Sequence, residues 1–183
     1  GVVGRGAATF GLGPPTAVAG TTGMGGGLGI RFAHFDGAVA SVGLRSSTWR
    51  GGGLRVSGLR FSVAAGYAWR SDRLEFVGLI GPTVAGVFVR EALVQPSGAS
   101  RDTAPLLGGR IVAHPAYVAL DRSTTRLIVG LEAEASAAFE ARSPAGAIQI
   151  YRETAQGLEP VARAGGFEVT IAVTVEIRFA LDR

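Results

Sequence analysis

The sequence predicts an all-β protein: a closed, antiparallel, eight-stranded transmembrane β-barrel with short periplasmic turns and longer outer loops. Three observations predict it. From Phe167 to Leu181 every odd position is apolar (Phe167, Val169, Ile171, Val173, Val175, Ile177, Phe179, Leu181), and every even position is small or charged. An unbroken period of two is a strand with one apolar and one polar face. Ordinary strands run about five or six residues; a run more than twice that length suits a tilted strand crossing a bilayer. Second, mean hydropathy is positive, yet no apolar run is fit to be a spanning helix. The longest, Phe76 to Val89, is broken by Gly78, Gly81, Pro82 and Gly86. A closed barrel resolves that combination, because closure satisfies every backbone group inside lipid. Third, the connections between the alternating segments run long, short, long, short.

In chain order, segment one spans about Val2 to Leu12, with Arg5 and Thr9 opposite Ala8, Phe10 and Leu12. Gly13 to Gly26, with Pro14-Pro15, reads as a loop. Segment two, Gly27 to Phe35, sets Leu28, Ile30 and Phe32 opposite Arg31 and Ala33. Asp36-Gly37 then supplies a hairpin turn. Segment three, Ala38 to Ser46, alternates Ala40, Val42 and Leu44 with Ser41, Gly43 and Arg45; Ser47 to Gly53 is a glycine-rich connection. Segment four, Leu54 to Trp69, opposes Leu59, Phe61, Val63, Tyr67 and Trp69 to Arg60, Ser62 and Ala64. The turn Arg70 to Arg73 leads into segment five, Leu74 to Val89, where both faces become apolar after Glu75. There Gly81-Pro82 suggests a bulge at which the facing changes. After the stretch Arg90 to Gly108 comes segment six, Gly109 to Leu120, with Ile111, Ala113 and Tyr117 opposite Arg110, Val112 and His114. Segment seven, Leu127 to Ala141, sets Glu132, Glu134, Ser136 and Glu140 against an apolar face. Ser143 to Gly166 is the longest connection, within which Ala147 to Tyr151 extends a hairpin beyond the membrane. Segment eight is the terminal strand. All of this fits one domain, 1–183.

Threading the strands up and down sorts the aromatics into two rims. Phe35, Tyr67, Trp69, Phe76, Tyr117 and Phe179 fall near the periplasmic rim, and Phe10, Phe88, Phe139 and Phe167 near the outer one, as interface girdles do. With alternation, loop rhythm and girdles together, the chain resembles the small eight-stranded outer-membrane barrels of the OmpA and OmpX kind, over nearly its whole length and by pattern rather than motif. The resemblance implies a place in the bacterial outer membrane, the lipid bilayer as partner, and an aromatic end recognised by assembly machinery. Here Phe179 is followed by Ala180-Leu181-Asp182-Arg183, so the resemblance implies a different signal or further sequence after Arg183. Gly1 already begins strand-like sequence, which reads as a mature form or an excised domain.

Composition narrows function. There is no cysteine, so disulfides and thiolate metal sites are excluded. The basic residues are arginines scattered along the chain rather than a stripe with interleaved aromatics, which argues against nucleic acid. Gly25 to Gly27 and Gly51 to Gly53 lack the lysine and helix of a phosphate loop. Ser47, Ser97 and Ser143 have no histidine on the same rim, and His34 and His114 have no ligand-spaced partner, so neither an enzyme, nor a cofactor, nor a metal is expected.

The chemistry-bearing residues face inward: Arg5, Arg31, Arg45, Arg60, Arg110 and Arg178, with Glu75, Glu132, Glu134, Glu140, Glu168 and Glu176. Eight strands enclose only enough space for side chains, and charges buried there must pair. Most arginines lie on strands one to four and most glutamates on five to eight, so pairs are expected to stitch the lumen across its width, with Arg5 near Glu176. A plugged, structural or anchoring barrel whose outer loops 90–108 and 143–166 meet protein partners follows. Two readings compete: a narrow pore through the Arg–Glu lumen, and a soluble lipocalin-like barrel with the facing inverted, which alternation alone does not exclude.

Overall fold

The computed structural model describes residues 3–12, 22–33, 36–51, 54–91, 103–122, 124–139 and 148–180. Its strands are β1 (Val3–Leu12), β2 (Thr22–Ala33), β3 (Ala38–Gly51), β4 (Leu54–Ser71), β5 (Leu74–Glu91), β6 (Thr103–Asp121), β7 (Thr125–Phe139), β8 (Ile148–Thr154), β9 (Gly157–Ala164) and β10 (Gly166–Ala180). Among the described residues the order is β1-β10-β7-β6-β5-β4-β3-β2, every pairing antiparallel. The ends meet because β1 pairs with β10 on one side and β2 on the other. β8 and β9 form a separate hairpin inside the connection from β7 to β10.

The strands outrun the alternating segments. β2 begins at Thr22 rather than Gly27, β3 continues through Ser47 to Gly51, and β6 begins at Thr103 rather than Gly109. Backbone pairing continues past the apolar band, where nothing requires one face to be greasy. The connection expected from Ser47 to Gly53 therefore shrinks to residues 52–53, which breaks the long–short rhythm at that point. The expected loop 90–108 shrinks likewise, to residues 92–102, outside the described set.

The facing is single-valued along β5 and β10. On β10, Phe167 through Phe179 are exposed at odd positions, while Thr170, Ala172, Thr174, Glu176 and Arg178 are buried at even ones. The change of face expected at Gly81-Pro82 does not occur. Ile80 and Val84 stay exposed while Leu79, Thr83 and Ala85 stay buried. One β4–β5 register also holds across it, Ser62 opposite Thr83 and Ala65 opposite Ile80. Segment five looked apolar on both faces for a different reason. Val77 and Leu79 join Val39, Ala64 and Val112 in an apolar cluster inside the barrel, so the interior is not polar throughout. Among the described residues, a register irregularity falls between Val118 and Leu120 on β6.

The hairpin from β2 to β3 shows how a short turn is locked. Ala38 N donates to Asp36 Oδ1 at 2.9 Å, Ala68 N donates to Gly37 O at 2.8 Å, and Tyr67 Oη donates to Asp36 O. Gly37 has φ +96°, and a Cβ there would lie 2.5 Å from the Tyr67 ring, so glycine is required twice over.

Candidate functional site

The period of two puts most of the long polar side chains described in the barrel strands on one surface, and curvature makes that surface the lumen. Among the described side chains, Arg31, Arg45, Arg60, Arg110 and Arg178 meet Glu75, Glu132, Glu134, Glu168 and Glu176 there. Arg31, on β2, reaches across to Glu176 on β10 and stands 3.7 Å from Glu132 on β7. Arg45 meets Glu132 at 2.9 Å and Glu134 at 3.3 Å. Arg60 holds Glu134 at 2.8 Å, Ser136 Oγ at 3.0 Å, and Glu168. Arg110 meets Glu134 at 3.2 Å. Glu134 is thus the hub of three guanidinium groups. Toward the short-turn end, Arg178 forks onto both oxygens of Glu75, one contact being 2.6 Å.

Five cations against five carboxylates leave this set neutral, which is the condition for burying it. An unpaired ion in such a place costs several kcal/mol. Glu132 and Glu134 lie two apart on β7, yet both are occupied by arginines, which leaves neither for acid–base or metal chemistry. Among the described residues no group of three His, Asp or Glu is placed to hold a metal. The expected approach of Arg5 to Glu176 falls on an arginine side chain outside the described set. Register sets Arg5 opposite Arg178 and Arg31, with Ala7 opposite Glu176, and Arg31 takes that carboxylate. The side chains of Arg5 and Glu140 lie outside the described set.

Sequence reasoning treated His114 as isolated. It is fully buried at the centre of the network. Its Nδ1 is 3.0 Å from Arg31 Nη1 and 3.6 Å from Glu176 Oε1, and its Nε2 is 2.7 Å from Thr174 Oγ1. The signal was parity: His114 shares the inward face of β6 with Arg110 and Val112. Gly130 on β7 makes room for the ring, since a Cβ there would lie 2.6 Å from His114 Nε2. His34 lies outside the described residues. A cavity of about 50 Å³ bounded by Arg31, Ser41, Arg45, Ser62, Arg110 and Glu132 has room for one or two waters.

The outer surface is the converse. Leu28, Leu44, Phe61, Ile80, Ile111, Leu131 and Val173 all stand exposed. A lipocalin-type barrel needs these positions inside, and they are outside. Tyr67, Trp69 and Phe76 pack in a row with ring centroids 5.0 and 5.8 Å apart. With Tyr117 and Phe179 they are exposed beside the short turns, while Phe139 and Phe167 are exposed at the opposite end. Phe35 lies outside the described residues, as do the side chains of Phe10 and Phe88. At the short-turn rim Asp121 is clasped by Arg126 Nε at 2.6 Å and Arg70 Nη2 at 2.9 Å.

An apolar exterior around a charged, occupied interior defines the small outer-membrane β-barrel class, and the chain has that fold. It is similar to Neisserial surface protein A (NspA), with a TM-score of 0.58 and 9% identity over 97% of this chain and 96% of that one. It is also similar to the outer membrane protein OprG from Pseudomonas aeruginosa, with a TM-score of 0.55 and 11% identity over 98% of this chain and 96% of that one. At these identities the likeness is one of fold. No family model matches the sequence, and no curated protein matches it.

Proposed function

We propose that the chain is an integral outer-membrane protein: a closed eight-stranded barrel with short turns to the periplasm and its longer connections outward, the β3–β4 connection being the short exception. Its lumen is a plug of ion pairs rather than a conduit, and it acts as a structural or anchoring protein whose outer loops meet partners. The observation that carries this is the inversion of burial. Phe167, Val169, Ile171 and Val173 are more than half exposed, while Glu176 and His114 have no exposure at all. In water such a surface would aggregate; in lipid it is the ground state. The plug reading is supported by Glu134, whose three arginines come from β3, β4 and β6 and so bridge the lumen. The β8–β9 hairpin lies within the region 143–166, which together with residues 92–102 is proposed to meet partners.

The test is fractionation and gel mobility. The protein is expected with outer membranes, insoluble without detergent, and shifted in apparent mass when left unheated. A monodisperse, detergent-free β-rich preparation would overturn the reading.

A further inference from the structure

The outer wall of the barrel is hollowed beside the two short turns 70–73 and 121–126. Register sets Trp69 of β4 opposite Phe76 of β5, and Phe76 opposite Pro115 of β6. The flanking pairs Ala113–Ala133 and Ala116–Gly130 place Leu131 of β7 across from Pro115, and Leu131 stands opposite Val173 of β10. All five are exposed on the outer face. Pro115 is the short member of that row. It floors an open apolar groove of about 700 Å³, with Trp69 and Phe76 as one wall and Leu131 and Val173 as the other. The next row toward the midplane is Gly78, Ala113 and Ala133. None of them carries more than a methyl group, so nothing in that row closes the groove on its membrane side.

The opposite end of the groove is cationic. Val118 N donates to Arg73 O at 2.8 Å, which ties the turn 70–73 to β6. Arg73 Nη1 donates to Tyr117 Oη at 3.3 Å, and Tyr117 lines the groove. The guanidinium is thereby held at the mouth. It makes no salt bridge among the described residues, and Asp121 nearby is already clasped by Arg70 and Arg126. Donors therefore remain on Arg73 for a ligand, and Tyr117 Oη keeps its own proton to donate alongside them. The two turns together carry Arg70, Arg73, Arg122 and Arg126 against Asp72 and Asp121, four cations to two anions. Depth agrees as well. Tyr117 and Trp69 belong to the aromatic girdle, which sits at headgroup level, so a cation beside it meets phosphates.

An apolar groove that ends at a fixed cation matches an elongated amphiphile with an anionic head. Resting on the outer-membrane reading, we infer that the groove holds one acyl chain of an anionic phospholipid of the periplasmic leaflet, with its phosphate on Arg73 and Tyr117 Oη. Acyl tails are as apolar as leucine, so within a bilayer the groove gains no hydrophobic advantage. Its shape fixes the position of the chain, and the charge at its mouth selects the head.

The experiment is native mass spectrometry of the full chain released from neutral detergent micelles. The micelles are doped with equal amounts of phosphatidylglycerol and phosphatidylcholine of identical acyl chains. The wild type is expected to retain phosphatidylglycerol about fivefold more than phosphatidylcholine, the factor that one arginine near an anionic leaflet contributes. Arg73→Gln is expected to lose that preference. Pro115→Phe, which fills the floor of the groove, is expected to lower retention of both lipids severalfold. Heat-modifiable gel mobility reports that each variant is folded; if Pro115→Phe fails that check, Leu131→Trp fills the groove from its wall instead. Equal retention of the two lipids by the wild type, or an undiminished preference in Arg73→Gln, overturns the site. Unchanged retention in the folded groove variant overturns it too. Failure of the membrane reading shows separately, as detergent-free solubility of the same preparation.

Discussion

Arg31 Nη1 lies 3.0 Å from His114 Nδ1, a contact in which only the arginine can donate. Nδ1 is therefore the acceptor, the ring is neutral, and its proton sits on Nε2, donated to Thr174 Oγ1 at 2.7 Å. One ring thus ties β2 to β6 and β6 to β10. His114→Leu removes a donor and an acceptor together and is expected to destabilise the barrel by about 2–4 kcal/mol, two buried partners each losing a hydrogen bond. His114→Gln keeps a donor toward Thr174 and is expected to lose less. Urea unfolding from lipid vesicles measures the difference. Nitrogen chemical shifts of the ring report the tautomer directly; a protonated Nδ1 would contradict the assignment.

Glu134 is the shared anion of Arg45, Arg60 and Arg110. Glu134→Gln leaves three guanidinium groups around a neutral amide and is expected to cost about 3–5 kcal/mol, as breaking a buried ion pair does. Arg110→Gln is expected to cost less, because Glu134 keeps two partners. In planar bilayers the wild type is expected to show little steady conductance, as the proposed plug would block the path. Where brief openings occur, Glu132→Gln and Glu134→Gln should change them more than shortening the region 143–166 does. Large, reproducible channels from purified monomer would contradict the plug.

These residues differ in how far the sequence revealed them. The facing of β4, β7 and β10 was legible, because lipid outside and charge inside impose opposite chemistries on adjacent positions. That Arg60 would reach Glu134 and Glu168 in particular was not, since cross-lumen pairing depends on register and shear. His114 was hidden because a histidine among apolar neighbours has the same local pattern whether it lines a core or a charged lumen. Strand ends were misplaced at Thr22, Gly51 and Thr103, where hydrogen bonding persists after hydropathy has stopped alternating.

At the short-turn rim, Asp121 is held below the ordinary carboxylate range, first by its hydrogen bond from Arg126 and then by that from Arg70. A carboxyl with a depressed folded pKa stabilises above its unfolded value, about 3.9, and loses that contribution as pH falls through the folded value. The wild type is therefore expected to be slightly more stable than Asp121→Asn at neutral pH, and the gap to close as pH drops below about 4. The group is fully exposed, so the gap should also shrink in high salt. Urea midpoints of both proteins across pH 2.5 to 7 measure it; a gap that is flat with pH, or that widens toward acid, would contradict the clasp.

The last prediction tests facing on β10, where the alternation is cleanest. Val173 is 53% exposed and Thr174 is 1% exposed, one residue apart. Val173→Arg puts a charge into hydrocarbon and is expected to cost about 2–4 kcal/mol at mid-depth. Thr174→Arg does not meet hydrocarbon, but it removes the partner of His114 Nε2 and forces bulk into an occupied lumen. Overpacking costs about 1–3 kcal/mol, so the two substitutions are expected to destabilise comparably, for opposite physical reasons. Stability therefore does not tell the faces apart, and a positional probe does. With a single cysteine at either position and a spin label attached, position 173 is expected to be quenched by a lipid-soluble relaxation agent. Position 174 is expected to be shielded from that agent. Access to neither position in reconstituted vesicles would mean that the apolar face of β10 does not meet lipid, and the membrane reading would fall with it; equal access at both would overturn the facing.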